Sequence, residues 1–339
     1  MKLMKTQDAV GQVLCHDITQ IIKGVTKDAV FRKGHVITEE DIPVLLSVGK
    51  DNVYIWEKGE KKLHENEAAE ILREMCQGEY MHPTPVKEGK IELVADIDGL
   101  LKVNSDKIKK VNSMGEMMIA SRHGNFAVKK GDKLAGTRII PLVIEKEKME
   151  SAKAVCEGQT ILSLKPFVHK KVGIVTTGNE VYYHRIEDTF TPVIKEKLED
   201  YDTEVIGQVV CNDDHEKITK AILSLIEKGA DLVLCTGGMS VDPDDKTPLA
   251  IKNTGAKIVS YGAPVLPGAM FLLSYYNEDI PIVGLPGCVM YAKRTIFDLA
   301  LPRIMADDKI TAEELAELGE GGLCLNCSVC TFPNCGFGK

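Results

Sequence analysis

The feature that most constrains this chain is a run from Lys171 to Leu299 in which short apolar segments alternate with amphipathic ones. Val172–Thr177 reads as a buried strand ending at Gly178. A helix is expected from about Thr191 to Glu199, then a strand over Thr203–Val210 and a helix over Glu216–Lys228. The next strand, Asp231–Cys235, runs into Thr236-Gly237-Gly238, where a turn is expected. Ile280–Val283 leads into Gly284-Leu285-Pro286-Gly287, and a helix is expected from there to Leu299. Strands separated by helices predict an α/β domain with a doubly wound, mostly parallel sheet. Ligands of such sheets sit beyond the carboxyl ends of the strands. Here three of those ends carry glycine turns, at Thr177-Gly178, at Thr236-Gly237-Gly238 and at Leu285-Pro286-Gly287. That coincidence points to a site.

The preceding residues read as smaller β-rich or α+β modules. Residues 1–58 form a mixed α/β module, with a strand-turn-strand around Gly34, an N-cap at Thr38 for a helix through Leu46, and a strand over Asn52–Trp56. Residues 59–89 supply a helix, His64–Cys76, and a linker bearing Pro and Gly. Residues 90–165 form a β-rich module, with strands near Glu92–Ala95, Phe126–Val128 and Thr137–Ile144. The α/β domain spans 166–306, and 307–339 is a tail with a cysteine cluster. Asp96 and Asp98 read as turn residues, and His123 and His169 as structural.

A net charge of −8 argues against wide contact with a phosphate backbone, so nucleic acid is not expected as a partner. The amino terminus has no apolar core of signal-peptide length, since Gln7 and Asp8 interrupt it. No apolar run reaches the ~20 residues needed to cross a bilayer. A cytoplasmic protein without a membrane partner is expected. Four of its ten cysteines fall in the last sixteen residues, and in a reducing compartment such a cluster suggests metal ligands before disulfides.

The strongest local candidate is the loop from Thr236 to Pro248. Gly237 and Gly238 let backbone N–H groups approach an anion with no Cβ in the way. Thr236 and Ser240 add hydroxyls, and a helix expected to start near Pro248 offers its positive end. Asp242, Asp244 and Asp245 follow, and carboxylates beside a phosphate make sense when Mg²⁺ lies between them. The alternative is a tight turn in which Asp242 and Asp245 cap the helix. Asp214 suits an N-cap. Glu180 follows the Thr177-Gly178 turn directly.

These motifs, in this order, resemble the molybdenum cofactor biosynthesis domain shared by molybdopterin adenylyltransferases and molybdopterin molybdenumtransferases, over roughly Lys171 to Met305. Thr177-Gly178-Asn179-Glu180 is similar to the family's Thr-Gly-Asp-Glu, Asp213-Asp214 to its paired aspartates before a helix, and Thr236–Val241 to its Ser/Thr-Gly-Gly-x-Ser-Val loop. Asp245 falls at that loop's functional aspartate, and Asp245-x-Thr247-Pro248 is similar to the adenylyltransferase branch. Leu266-Pro267-Gly268 and Leu285-Pro286-Gly287 match two later Pro-Gly turns. Gly34–Ile42 with Val48-Gly49 also resembles a segment of molybdenumtransferases. The resemblance implies molybdopterin, or its adenylylated form, bound by the glycine and Pro-Gly turns. It implies Glu180 on the pterin, Asp214 and Asp245 in catalysis, and Asp245 and Asp242 toward Mg²⁺. Molybdate, a client molybdoenzyme and a homo-oligomer are the implied partners.

The departures are specific. Asn179 replaces an Asp, Asp188-Thr189-Phe190 replaces Asp-Ser/Thr-Asn, Ala269-Met270 stand where the transferases have Lys-Pro, and Cys288-Val289 where they have Asn-Pro. Cys288 reads as a buried inert thiol, with a thiolate facing the dithiolene as the alternative. The tail, Cys324-x₂-Cys327-x₂-Cys330-x₄-Cys335, suits zinc or an iron–sulfur cluster; it is one residue longer than the bacterial ferredoxin run before its last cysteine. Two functions follow from different classes: a transferase acting with Mg²⁺ on molybdopterin or its adenylylated form, in molybdenum insertion or adenylyl transfer, or a non-catalytic carrier that passes finished cofactor to its client. An unrelated mononucleotide-binding enzyme is a third reading.

Overall fold

The computed structural model describes residues 2–22, 26–55 and 61–339, so Trp56, the expected end of a strand, lies outside the described residues. The chain divides into two compact units. One comprises Met1–Asp96, Val103–Arg122 and Lys130–Ser163, and the other Ile97–Lys102, His123–Lys129 and Leu164–Lys339.

In the first unit an antiparallel sheet runs in the order Met81–Pro83, Lys90–Ala95, Lys133–Ile139, Met117–Ser121. The helix Glu65–Cys76 turns Ala68, Ala69, Leu72, Met75 and Cys76 inward, spacing that puts them on one helical face. The strand-turn-strand expected around Gly34 is arranged differently. Leu14 exchanges backbone hydrogen bonds with Gly34 and His35, so the chain after the turn joins residues 12–14. Thr26–Phe31 pairs instead with Ile18–Ile22. Thr38 does not cap the following helix, Asp41–Ser47; its N–H donates to the Asp41 carboxylate at 2.8 Å, and His35 Nε2 meets the same oxygen at 2.6 Å.

The second unit holds the sheet that positions the site. Its strand order is Thr203–Cys211, Lys170–Thr177, Leu232–Thr236, Ile280–Leu285, Leu272–Tyr276, Lys257–Tyr261. The first four are parallel and the last two antiparallel. Both faces of the parallel part are covered, and this explains why the strands are continuously apolar rather than alternating. Val172, Ile174, Leu232, Leu234, Val283 and Leu285 enter one core with the helices Phe190–Leu198 and Ile296–Met305. Val175, Val233, Cys235 and Ile282 enter another beneath the helix His215–Glu227, through its Ile218, Ala221, Ile222 and Leu225. Successive crossovers thus pass to opposite faces on either side of the Lys170–Thr177 strand. The chain's direction of winding reverses between that strand and Leu232–Thr236.

One local expectation is revised. The helix expected from Gly287 to Leu299 is a 3₁₀ turn, Gly287–Met290, then a break, then the helix Ile296–Met305. Its restart is set by a capping box in which Thr295 N–H donates to Asp298 Oδ2 at 2.8 Å and Phe297 N–H to Thr295 Oγ1 at 3.2 Å. The residues from 307 onward are packed rather than loose. They form the helix Ala312–Glu317 and send Ile310, Leu315 and Phe337 into the core beside Phe126 and Leu299.

Candidate functional site at the strand ends

The three glycine turns lie on neighbouring strands whose ends are in register, Thr176 opposite Thr236 and Thr236 opposite Leu285. Beyond them opens a cavity of about 500 Å³, lined by Gly237, Gly238, Ser240 and Asp245 from one loop and by Pro286, Gly287 and Cys288 from the next. Met270 and Tyr291 complete it, Tyr291 with 78% of its surface exposed. The reversal of winding lies one strand away, between Lys170–Thr177 and Leu232–Thr236, and Thr177, Gly178 and Glu180 are not among the residues that line this cavity.

Gly237 and Gly238 are required here by space as well as by backbone. Their φ values are +81° and +55°, and a Cβ on Gly237 would stand 2.1 Å from the Thr177 carbonyl oxygen. Thr177 works from below: its hydroxyl donates to the Thr236 carbonyl at 3.1 Å and meets Thr247 Oγ1 at 3.0 Å, while Thr247 Oγ1 donates to the Gly237 carbonyl at 2.8 Å. From above, the Tyr261 hydroxyl donates to the carbonyls of Met239 (2.8 Å) and Ser240 (3.2 Å). With these carbonyls engaged, the loop is held as a rigid shelf. Thr236 itself is fully buried, and its hydroxyl has no hydrogen-bond partner among the described residues. Pro267 and Gly268 lie one step behind the cavity wall, where the Pro267 carbonyl accepts from Ile296 N–H at 3.2 Å and a Cβ on Gly268 would meet Ile296 Cγ2 at 2.4 Å.

The aspartates separate into structural and outward-facing groups. Asp214 caps the His215–Glu227 helix, accepting from Glu216 N–H at 3.0 Å and Lys217 N–H at 3.4 Å. Neither Asp242 nor Asp245 caps the Thr247–Asn253 helix. The two instead close a turn on each other, Asp242 N–H donating to Asp245 Oδ2 at 3.0 Å. Asp213, passed over as a site residue in favour of its neighbour, accepts from Asn179 N–H at 3.0 Å. Burial pushes its carboxyl up, and the nearby carboxylates of Glu180, Asp244 and Asp245 push it further. Four acids therefore share a field at the ends of three strands. Asp188 is the opposite case: burial raises it, but hydrogen bonds from Thr191, Phe190 and Gln208 outweigh that and hold it below the ordinary range. Its role is to fasten the start of the Phe190–Leu198 helix.

Among the described residues, no three His, Cys, Asp or Glu side chains are gathered as ligands of one ion. A Mg²⁺ held by one or two carboxylates together with substrate phosphate needs no such protein cage, and the mutual repulsion around Asp213 suits a cation. Cys288 is half-buried in the cavity wall, and burial raises its thiol, so it meets the cavity as a neutral S–H.

Residues 173–306 match the family described as "Probable molybdopterin binding domain". This segment belongs to that family. The cavity at the glycine turns lies within this segment. Residues 3–57 match a separate domain of unknown function (DUF8806). A CinA-like protein of Mycobacterium avium (strain 104) is 32% identical over 80 residues, covering 24% of this chain and 18% of that protein. The molybdopterin molybdenumtransferase of Haemophilus influenzae is 29% identical over 151 residues, 42% of this chain and 37% of that protein. The chain thus spans well under half the length of either relative. The solved molybdopterin biosynthesis enzyme MoaB of Thermus thermophilus aligns with 40% of this chain and 91% of its own at 23% identity, with a TM-score of 0.34. Among the described residues no helix is long and apolar enough to cross a membrane.

The cysteines of the carboxy-terminal segment lie apart from this cavity. Cys327 and Cys330 are exposed, Cys324 and Cys335 half-buried. A backbone N–H from Phe332 and the Arg294 guanidinium hold the Cys330 thiol below its ordinary value.

Proposed function

We propose that the strand-end cavity binds adenylylated molybdopterin, with the phosphates on the Gly237-Gly238 shelf and the pterin toward Tyr291 and the Pro286-Gly287 turn. The observation that carries this reading is the shelf itself. Two glycines in the left-handed region, with no room for a Cβ, are fixed through their own carbonyls beside a cavity large enough for a pterin. Tyr291 offers an exposed ring face to a flat heterocycle. Asp245, with Asp213 close in its field, would hold Mg²⁺ against the phosphates, and the ion would neutralise charge as AMP leaves. The chemistry proposed is hydrolysis of the phosphoanhydride between the pterin phosphate and AMP, in which a water oxygen bonds to phosphorus as the bridging P–O bond breaks and AMP leaves. The protein's own part is to hold the phosphates on backbone donors and orient the bond to be broken.

A carrier role is the second reading, and one observation favours it. The residues lining the cavity include an acid, Asp245, but neither Lys nor Arg to offset an anionic substrate. A site that only holds finished cofactor has less need of such a cation.

The test is anaerobic titration with adenylylated molybdopterin, with Mg²⁺ and molybdate present or withheld. Binding with AMP release in the complete mixture supports the transferase reading. Binding with AMP retained sinks that reading in favour of the carrier, and no binding removes both.

A further inference from the structure

Cys324, Cys327, Cys330 and Cys335 line one cavity of about 200 Å³, and none of its lining residues is shared with the pterin cavity. We propose that this cavity holds a [4Fe–4S] cluster, each cysteine supplying one thiolate, and that it is not a zinc site. The inference stands on the cysteine cavity alone and is independent of the pterin reading.

Size decides between the two chemistries. A tetrahedral zinc site draws four sulfurs to about 2.3 Å from a single point and leaves no void among them. Here the cysteines surround a space several times the ~30 Å³ of one water, and among the described residues no three of them are gathered around an ion. Thiols spaced around a common void suit a cubane that occupies the void itself.

The walls fit an anionic, water-sensitive guest. Leu323, Leu325, Phe332 and Phe337 are apolar, and Lys293 and Arg294 bring two cations to offset a cluster with four thiolates. Both cations are fastened. Lys293 Nζ donates to the carbonyls of Cys327 (3.4 Å) and Ser328 (3.1 Å), and Arg294 stacks 4.9 Å from the centre of the Phe332 ring while its Nη1 meets Asp298 Oδ1 at 2.9 Å.

The backbone is prepared for this role. Cys324 N–H donates to the Leu266 carbonyl at 2.8 Å, Leu266 N–H to the Gly322 carbonyl at 2.8 Å, and Gly338 N–H to the Gly321 carbonyl at 2.9 Å. Gly321 and Gly322 are there because the chain passes too close for side chains: a Cβ would stand 2.0 Å from the Lys339 carbonyl oxygen and 2.3 Å from that of Leu318. Phe337 anchors the far end in the core. The two exposed cysteines, Cys327 and Cys330, leave the cavity open to a delivered cluster.

The test is anaerobic reconstitution of the full chain with iron salt, sulfide and excess dithiothreitol, with zinc offered in competition. About four iron and four acid-labile sulfide per chain, with a visible absorption that dithionite bleaches, are expected for a [4Fe–4S] centre. One zinc per chain without sulfide or colour overturns the proposal, and so does a chain that retains neither metal. Replacing both exposed ligands, Cys327→Ser with Cys330→Ser, should remove most of the iron while leaving the circular dichroism spectrum unchanged. Cys288→Ala should keep the full load. A folded double variant that still carries a full cluster would overturn the ligand assignment.

Discussion

At the residue scale, adjacent aspartates do different work. Asp213 stands in the field of three other acids, and its folded-state pKa is raised above the ordinary value. The folded protein therefore binds more protons than the unfolded chain in that range, and stability falls as pH rises through it. Asp213→Asn should raise the melting temperature at neutral pH and flatten its fall from about pH 4 upward, the ordinary carboxylate range. It should also shrink the stabilisation given by Mg²⁺ with a pterin phosphate. Thermal melts across pH, with and without those ligands, check both effects; an unchanged pH profile would remove Asp213 from the acid field. Gly237→Ala tests the shelf. The left-handed backbone alone costs roughly 1–2 kcal/mol for a residue with a Cβ, and the contact with the Thr177 carbonyl adds to it. Denaturant unfolding should show at least that loss, and isothermal titration should show pterin affinity falling more than for Ser240→Ala, whose exposed side chain supports nothing else in the loop.

At the element scale, the start of a helix separates the two neighbouring aspartates. Asp214 is occupied by the His215–Glu227 helix, so Asp214→Ala should cost about 1 kcal/mol of stability in urea melts. It should leave cofactor binding within error, and a large loss of binding would restore the functional role implied by family resemblance. The Ile296–Met305 helix carries a second test. Arg303 is buried and bonds Asp308 at 2.6 Å and Glu314 at 2.8 Å, and Lys102 and Lys165 also reach Asp308. Despite burial, these cations hold the Asp308 carboxyl down at about 2. Its contribution is therefore complete above the ordinary carboxylate range and is lost only as pH falls through about 2. Asp308→Ala removes one of two carboxylates from a buried guanidinium, leaving Glu314, and should cost about 1–3 kcal/mol, read from chemical denaturation at neutral pH. The parallel strands and their glycine ends were legible because each is a local signal, an apolar run followed by a breaker. The Lys257–Tyr261 and Leu272–Tyr276 strands were not, and with them went Tyr261, whose hydrogen bonds to the loop join residues 21 and 22 positions apart. That Asp214 caps the helix while Asp213 accepts from Asn179 N–H was equally hidden, because it depends on where helical geometry begins within a run of polar residues.

At the scale of the whole molecule, two cavities of different chemistry are served by one short stretch of chain. Pro286–Tyr291 walls the pterin cavity, and Lys293 and Arg294 wall the cysteine cavity. Leu266 binds Cys324 on one side, and on the other it leads through Pro267 and Gly268 to Ala269 and Met270 of the pterin wall. If an occupant that immobilises residues 293 and 294 also restricts residues 286–291, the second guest would find part of its ordering cost already met. The coupling is reciprocal by thermodynamic necessity. The ratio of pterin affinities with and without the cluster should equal the ratio of cluster affinities with and without pterin, and unequal ratios beyond error would mean that the two states differ elsewhere. Oxygen that destroys the cluster would then also loosen the grip on the pterin. The linked walls would make the protein a conditional container, which holds its pterin tightly only while the cluster is intact.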